Sequence, residues 1–298
     1  MSFKSGFVNI IGRPNAGKST LMNALVGERM SIITHKPQTT RHRIIGILTG
    51  EHFQAVFSDT PGYVKKPNYK MHEAMNRLVE GTVEDADLML FVFDLTEELE
   101  GDNPVIEVLK KTEAPVLLVL NKKDLVAAQR AEDTTNWWKK RIPVAEAIAI
   151  SALHAPDCAL LLEKIIERLP EGPPYYPPDQ LTDRPERFFT TEIIREKILL
   201  LYTDEIPYSC EVAVESFHET TTKSGEPLAR IHVIIYVMRE SQKAILLGRN
   251  GEAVKRLATA ARTELEKFLQ TKVFLETTIK VRENWRDDDR ALQKFGYV

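Results

Sequence analysis

Cysteine is almost missing from this chain: Cys158 and Cys210 stand alone among 298 residues, in separate halves and without metal-ligand spacing. That excludes a disulfide-framed secreted domain and a thiolate zinc site, and leaves two free thiols suited to a reducing compartment. No apolar run approaches the roughly 18 residues of a membrane-spanning helix. The N-terminus shows no long apolar core followed by a cleavage site, so the expected location is cytoplasmic. A surplus of basic charge is absent too. The formal net charge of -3 excludes a globally basic nucleic-acid binder. Within that average, Lys243–Arg262 holds five basic residues against Glu252 alone, enough for a local phosphate-binding patch.

What is present organises into two patterns. Residues 1–172 alternate strands (6–11, 44–49, 53–58, 88–93, 115–120, 146–150) with amphipathic helices, an α/β domain on a mainly parallel sheet. Runs such as Leu88–Phe93 and Val116–Leu120 are apolar throughout, as strands covered on both faces require. Residues 173–186 form a linker in which Pro173, Pro174, Pro177 and Pro178 favour a stiff, extended path. Residues 187–298 form a smaller α+β domain in the order α–β–β–α–β: helix 188–201, strands 208–217 and 229–239, helix 251–269, strand 273–281.

Four segments of the first domain point to a nucleotide. Gly12-Arg13-Pro14-Asn15-Ala16-Gly17-Lys18-Ser19 lies between a strand and a helix that Thr20 continues, the context of a phosphate-cradling loop. Lys18 reaches the β- and γ-phosphates there, and Ser19 ligates Mg²⁺. Alone, the loop admits ATPases, kinases and GTPases. Asp59-Thr60-Pro61-Gly62 ends an apolar strand; Asp59 can hold Mg²⁺ through water, and Gly62 can offer its N–H to a γ-phosphate. In Asn121-Lys122-Lys123-Asp124, the Asp124 carboxylate matches guanine N1–H and its 2-amino group, donors that adenine does not present together, and the Lys122 stem can cover the base. Ser151-Ala152-Leu153 follows a further strand, where the Ala152 N–H can meet guanine O6.

In the second domain, Gly248-Arg249-Asn250-Gly251 leads into an amphipathic helix. A short G-x-x-G turn lets the backbone clamp about four nucleotides of single-stranded nucleic acid in KH domains. Arg249 would position the phosphate chain, with Lys255 and Arg256 adding contacts, while the apolar Ile245 faces the bases. The α–β–β–α–β order around the loop fits a type II KH domain.

Taken in order, these motifs resemble the translation-factor-like class of small GTPases. With the KH pattern, and with Gln38–Arg43, Glu192–Lys197 and Trp285–Tyr297, the whole chain resembles the Era family of bacterial ribosome-assembly GTPases. The resemblance implies a P-loop GTPase using GTP/GDP and Mg²⁺, with Lys18, Thr40 and Gly62 in catalysis. It assigns Ser19, Thr40 and Asp59 to the metal, Thr39 being the second choice for the switch threonine. Tyr63 stands where Ras-type proteins carry a catalytic glutamine. Slow intrinsic hydrolysis follows, with reliance on a partner or on K⁺. The implied partners are small-subunit ribosomal RNA near its 3′ end and the small ribosomal subunit itself, whose maturation a monomer would assist. Peripheral contact with the inner face of the membrane belongs to the same resemblance. Two other readings compete: an RNA-binding scaffold with a vestigial nucleotide domain, and a membrane-associated regulatory GTPase.

Overall fold

The computed structural model describes residues 2–101 and 103–297. Two compact units meet at the Asp183–Arg184 junction. The first contains β1 (Lys4–Ile11), α1 (Lys18–Val26), β2 (Ile44–Thr49), β3 (Phe53–Asp59), α2 (Lys70–Gly81) and β4 (Leu88–Asp94). It continues with α3 (Val105–Lys111), β5 (Val116–Asn121), α4 (Ala128–Lys139), β6 (Val144–Ala149) and α5 (Ala155–Arg168). Its six strands run in the order β2-β3-β1-β4-β5-β6, with β2 antiparallel to β3 and every other pairing parallel. Every residue of β4 and β5 is buried, which is why these strands carry no polar alternation. In such a sheet the strand C-terminal ends form the crevice where ligands bind. The loops after β1, β3, β5 and β6 all open there.

The proline-rich stretch is part of this unit as far as Asp183. Gln54 on β3 is fully buried and must satisfy its amide inside the protein. Its Oε1 accepts the N–H groups of Tyr175 (2.7 Å) and Tyr176 (2.9 Å), and its Nε2 donates to Tyr176 O (2.9 Å) and Thr49 Oγ1 (3.0 Å). Ser5 Oγ donates to Pro173 O at 2.7 Å, and the Ile47 N–H on β2 donates to Leu181 O at 2.8 Å. Proline content marks an extended path correctly, but it carries no sign of a buried side chain some 120 residues earlier that would hold it.

The second unit contains α6 (Glu186–Leu201), α7 (Ile206–Ser209), β7 (Glu211–Thr221), β8 (Pro227–Val237), α8 (Glu240–Leu247), α9 (Glu252–Leu269), β9 (Lys272–Val281) and α10 (Asp289–Lys294). Strand β8 is central, antiparallel to β7 and parallel to β9. Ile231, Val233 and Ile235 on one face of β8 join Ile194 and Ile198 of α6 and Leu257, Ala261 and Leu265 of α9 in a single core. Helix α8 departs from the expected order, so the G-x-x-G loop joins two helices. Only Leu246 of α8 is buried, too little for a helical stripe to show in the sequence. Gln242 Oε1 fastens its first turn by accepting the N–H groups of Met238 and Arg239 at 2.9 and 3.1 Å. The tail packs on this unit: the Trp285 indole donates to Ser209 O at 3.0 Å, and the Tyr297 hydroxyl to Glu211 Oε2 at 2.6 Å. Asp288 caps α10 by accepting the Ala291 N–H at 3.1 Å.

Candidate nucleotide site and nucleic-acid loop

Gly12–Ser19 turns from the end of β1 into the first turn of α1. Two of its positions exclude a side chain. A Cβ on Gly12 would lie 2.3 Å from Val92 O; one on Gly17, whose φ is +95°, would lie 2.2 Å from Asn121 Nδ2. Lys18 is buried, and its Nζ donates to Gly12 O (3.2 Å) and Arg13 O (2.9 Å). Burial lowers its pKa to about 8, against the opposing pull of Asp59 and Glu97. Asn15 sits at a left-handed φ of 64° and donates from Nδ2 to His35 O at 3.0 Å.

The three side chains expected to share a metal converge. Ser19 Oγ lies 2.7 Å from Asp59 Oδ2 and 2.9 Å from Thr40 Oγ1, which is itself 3.3 Å from Asp59 Oδ2. Thr39 turns elsewhere: its hydroxyl donates to Lys36 O at 2.6 Å, so it is Thr40 that joins the cluster. Asp59 is fully buried, and its Oδ1 lacks a hydrogen-bond partner among the described residues. Burial raises its pKa, opposed by Lys18 and by the hydroxyls of Ser19, Ser31 and Thr40. An orphaned carboxylate oxygen beside two hydroxyls is a donor set for a hard cation such as Mg²⁺, with phosphate oxygens and water supplying the rest. No group of three His, Cys, Asp or Glu side chains among the described residues offers a rival metal site.

Gly62 presses on the phosphate loop. A Cβ there would lie 2.7 Å from Pro14 N and 2.8 Å from Pro14 Cα. Gly62→Ala therefore has to push the loop after β3 away from the phosphates. We expect GTP hydrolysis to slow by roughly tenfold or more, with GDP affinity changed by less than about threefold, as for loss of one transition-state donor. Single-turnover phosphate release alongside GDP titration checks this; unchanged hydrolysis would remove Gly62 from the reaction. The next residue, Tyr63, donates its hydroxyl to Glu80 Oε1 at 3.0 Å and packs on the apolar core. Burial and the Glu80 carboxylate raise its pKa.

At the base end, Asn121 is spent on the protein. Its Nδ2 donates to Ala16 O at 2.8 Å and its Oδ1 accepts the Ala152 N–H at 3.0 Å, tying three loops together. The Asn121 Oδ1 is thus the acceptor for the Ala152 N–H, and both residues also line the pocket. Leu153, next along, lines the pocket. Lys122, at φ 64°, pairs through Nζ with Asp94, the last residue of β4. Asp124 is exposed on the following turn and lines the same pocket of about 600 Å³, a volume suited to a nucleotide. Lys18, Ser19, Thr20, Thr40, Gly62 and Ser151 line it too, whereas Gly12, Ala16 and Asp59 do not. Sequence reasoning missed Asp94, the partner of Lys122, and the wall formed by Ile32, Ile33 and Thr34. A carboxylate ending an apolar central strand beside a phosphate loop was the available signal for Asp94. Ile32-Ile33, apolar yet in no helix or strand, was the signal for the wall.

In the second unit, the loop between α8 and α9 holds three demands on backbone shape within four residues. Gly248 (φ 71°) would place a Cβ 2.5 Å from Ala253 Cβ, and Gly251 has φ 76°. Asn250 between them has φ 53°, a left-handed conformation that asparagine tolerates best after glycine. Arg249, Lys255 and Arg256 are exposed around the loop, and Ile245 on α8 is 53% exposed beside it. The Tyr202 hydroxyl donates to Leu246 O at 3.0 Å, anchoring α8 from α6.

A P-loop with a guanine-type Asn-Lys-x-Asp turn, followed in one chain by a helix–G-x-x-G–helix unit on a three-stranded sheet, defines a GTPase joined to a KH domain. A 50S ribosome-binding GTPase family matches residues 7–122, and the KH domain family matches residues 205–286. The chain is 44% identical over 296 residues to GTPase Era of Syntrophus aciditrophicus, spanning 99% of this chain and 95% of that one. It is 45% identical to a chloroplastic ERA-like GTPase of Oryza sativa subsp. japonica, over 99% of this chain and 69% of the other. A crystal structure of an Aquifex aeolicus Era variant bound to GDP·AlF4⁻ superposes with a TM-score of 0.92 at 34% identity, covering 99% of this chain and all of that one. A structure of Era with MgGDPNP and nucleotides 1506–1542 of 16S ribosomal RNA gives 0.93 at 34%, covering 99% of each chain. The chain belongs to the Era family of GTPases, and is a GTP hydrolase.

Proposed function

We propose that this GTPase is a nucleotide-operated switch that grips the 3′ region of small-subunit ribosomal RNA and assists maturation of the small ribosomal subunit in the cytoplasm. One observation carries the reading: the Ser19–Thr40–Asp59 oxygen cluster and the exposed Gly248–Gly251 loop occur in the same chain. The Era complex with MgGDPNP and 16S ribosomal RNA supports it. Lys18 holds the β- and γ-phosphates, exchanging its bonds to Gly12 O and Arg13 O for phosphate oxygens. Ser19, Thr40 and Asp59 would hold Mg²⁺, which would supply neutralisation of the charge that builds on the phosphates. Thr40 would also link a bound metal to the segment ahead of β2, so that nucleotide state biases how this segment is held. Gly62 donates its N–H to that phosphate. Asp124 accepts from guanine N1–H and the 2-amino group, with O6 facing the backbone of 151–153. Tyr63 has no amide to orient water, so turnover is slow without a partner or K⁺.

Fluorescence anisotropy of a labelled RNA carrying the 3′ end of 16S ribosomal RNA tests the switch. Affinity with GDPNP is expected to exceed that with GDP by on the order of tenfold, within the usual span of coupling energies. Equal affinities in the two states would favour a scaffold with an idle nucleotide domain. No helix among the described residues is long and apolar enough to cross a membrane. Peripheral contact is therefore a matter for vesicle co-sedimentation.

A further inference from the structure

Asp157 belongs to none of the expected motifs, yet it touches both segments at the base end of the pocket. It is the third residue of α5 and 9% exposed. Its Oδ2 accepts the Ser151 N–H at 2.8 Å, and its Oδ1 accepts from Lys123 Nζ at 2.7 Å, with His154 Nδ1 3.3 Å away. Ser151 opens the 151–153 loop, and Lys123 immediately precedes Asp124. One carboxylate thus closes a ring across two loops that are separated by a strand and a helix in the chain. The junction is closed again beneath by Lys123 N–H to Ile150 O at 3.0 Å.

A carboxylate in the first turn of a helix ordinarily serves the helix itself, by meeting its dipole or its unpaired N–H groups. Asp157 does something else with its hydrogen bonds. The N–H it accepts, from Ser151, lies outside α5, whose cap is His154, and the ammonium it accepts comes from the other loop. Burial acts to raise its pKa, but the bonds from Lys123 and from the Ser151 N–H outweigh that and hold it below the usual carboxylate range. It therefore stays charged across the neutral range.

We propose that Asp157 is a positioning residue for guanine recognition, setting the separation between Asp124 and the 151–153 backbone without touching the nucleotide. The proposal rests on the assignment of those two segments to the base. Along one edge guanine carries its 2-amino group and N1–H at one end and O6 at the other, so both ends are read only if the loops stand at one fixed spacing. A misplacement of about 1 Å is enough to cost such an arrangement heavily.

The test compares Asp157→Ala and Asp157→Asn with the unaltered protein, titrating GDP and inosine diphosphate, which keeps O6 and N1–H but lacks the 2-amino group. Asp157→Ala is expected to weaken GDP about tenfold and to compress the GDP-to-IDP affinity ratio by about threefold or more. It should raise KM for GTP with kcat within about twofold, because the phosphate end is untouched. Asp157→Asn keeps an acceptor for the Ser151 N–H but loses the charge facing Lys123, so it should fall between, at about threefold for GDP. A lower melting temperature with an unchanged ratio and KM would make Asp157 a stabiliser of α5 and overturn the proposal. If Asp157→Ala does not fold, unaltered GDP affinity in Asp157→Asn overturns it. Guanine selectivity that survives Asp124→Asn would instead overturn the base assignment beneath it, so the two failures are distinguishable.

Discussion

Asp124→Asn is expected to lower affinity for GDP and GTP by about 10²- to 10³-fold while admitting xanthine nucleotides. The carboxylate makes a paired, charge-assisted interaction with two guanine donors, and such pairs are about twice as strong as neutral ones. An asparagine in its place turns one acceptor into a donor, which faces the guanine 2-amino group with no partner between them. Leaving two buried donors opposed accounts for about 3–4 kcal/mol, which is the quoted range of affinity. Xanthine carries an oxygen at that position and accepts from the new amide. Asp124 is exposed on its turn, so the change should leave the fold alone. Competition of GDP and XDP against a fluorescent guanine nucleotide measures both effects. GDP affinity within about threefold of the original, without a gain for XDP, would take Asp124 out of base recognition.

The second large effect belongs to the other unit. Arg249→Asp together with Asn250→Asp places two carboxylates where the phosphate chain of a single strand would pass. Both glycines remain, and aspartate accepts the left-handed backbone of position 250 almost as well as asparagine. The loop keeps its shape and reverses its charge. RNA affinity is expected to drop on the order of 100-fold at physiological salt, with a shallower salt dependence. Melting temperature and GDP affinity should not move. RNA affinity that persists within about threefold would show that the loop is not the binding surface.

How much of this was readable beforehand divides along a physical line. Strands β4 and β5 announce themselves because burial on both faces leaves only apolar residues, a purely local signature. The phosphate loop and the Asn121–Asp124 turn were legible because the chemistry of a phosphate or a base edge demands neighbouring residues in a set order. What escaped is carried by contacts between distant positions. Gln54 looks like one polar residue in a strand, and nothing near it in sequence reveals that Tyr175 and Tyr176 use up its amide. Asn121 is recognisable as part of the nucleotide turn, but that both ends of its amide also tie the phosphate loop to the 151–153 loop shows only in the structure. The choice between Thr39 and Thr40 needed the path of the backbone, since both carry the same hydroxyl one residue apart. Helix α8 was hidden because the single buried residue in its body makes no period to detect.

The strip of chain held by Gln54 also decides how safely the sheet ends. Strand β2 is one of the sheet's two edge strands, and a bare strand edge is a template on which another copy of the sheet can add. Leu181 occupies the Ile47 N–H on that edge, and prolines flank the approach, so the passing chain acts as a guard against runaway pairing. A GTPase fragment cut after residue 172 would discard the guard along with the second unit. One that ends at 183 would keep it, and with it the cover over Ile47 on the β2 edge.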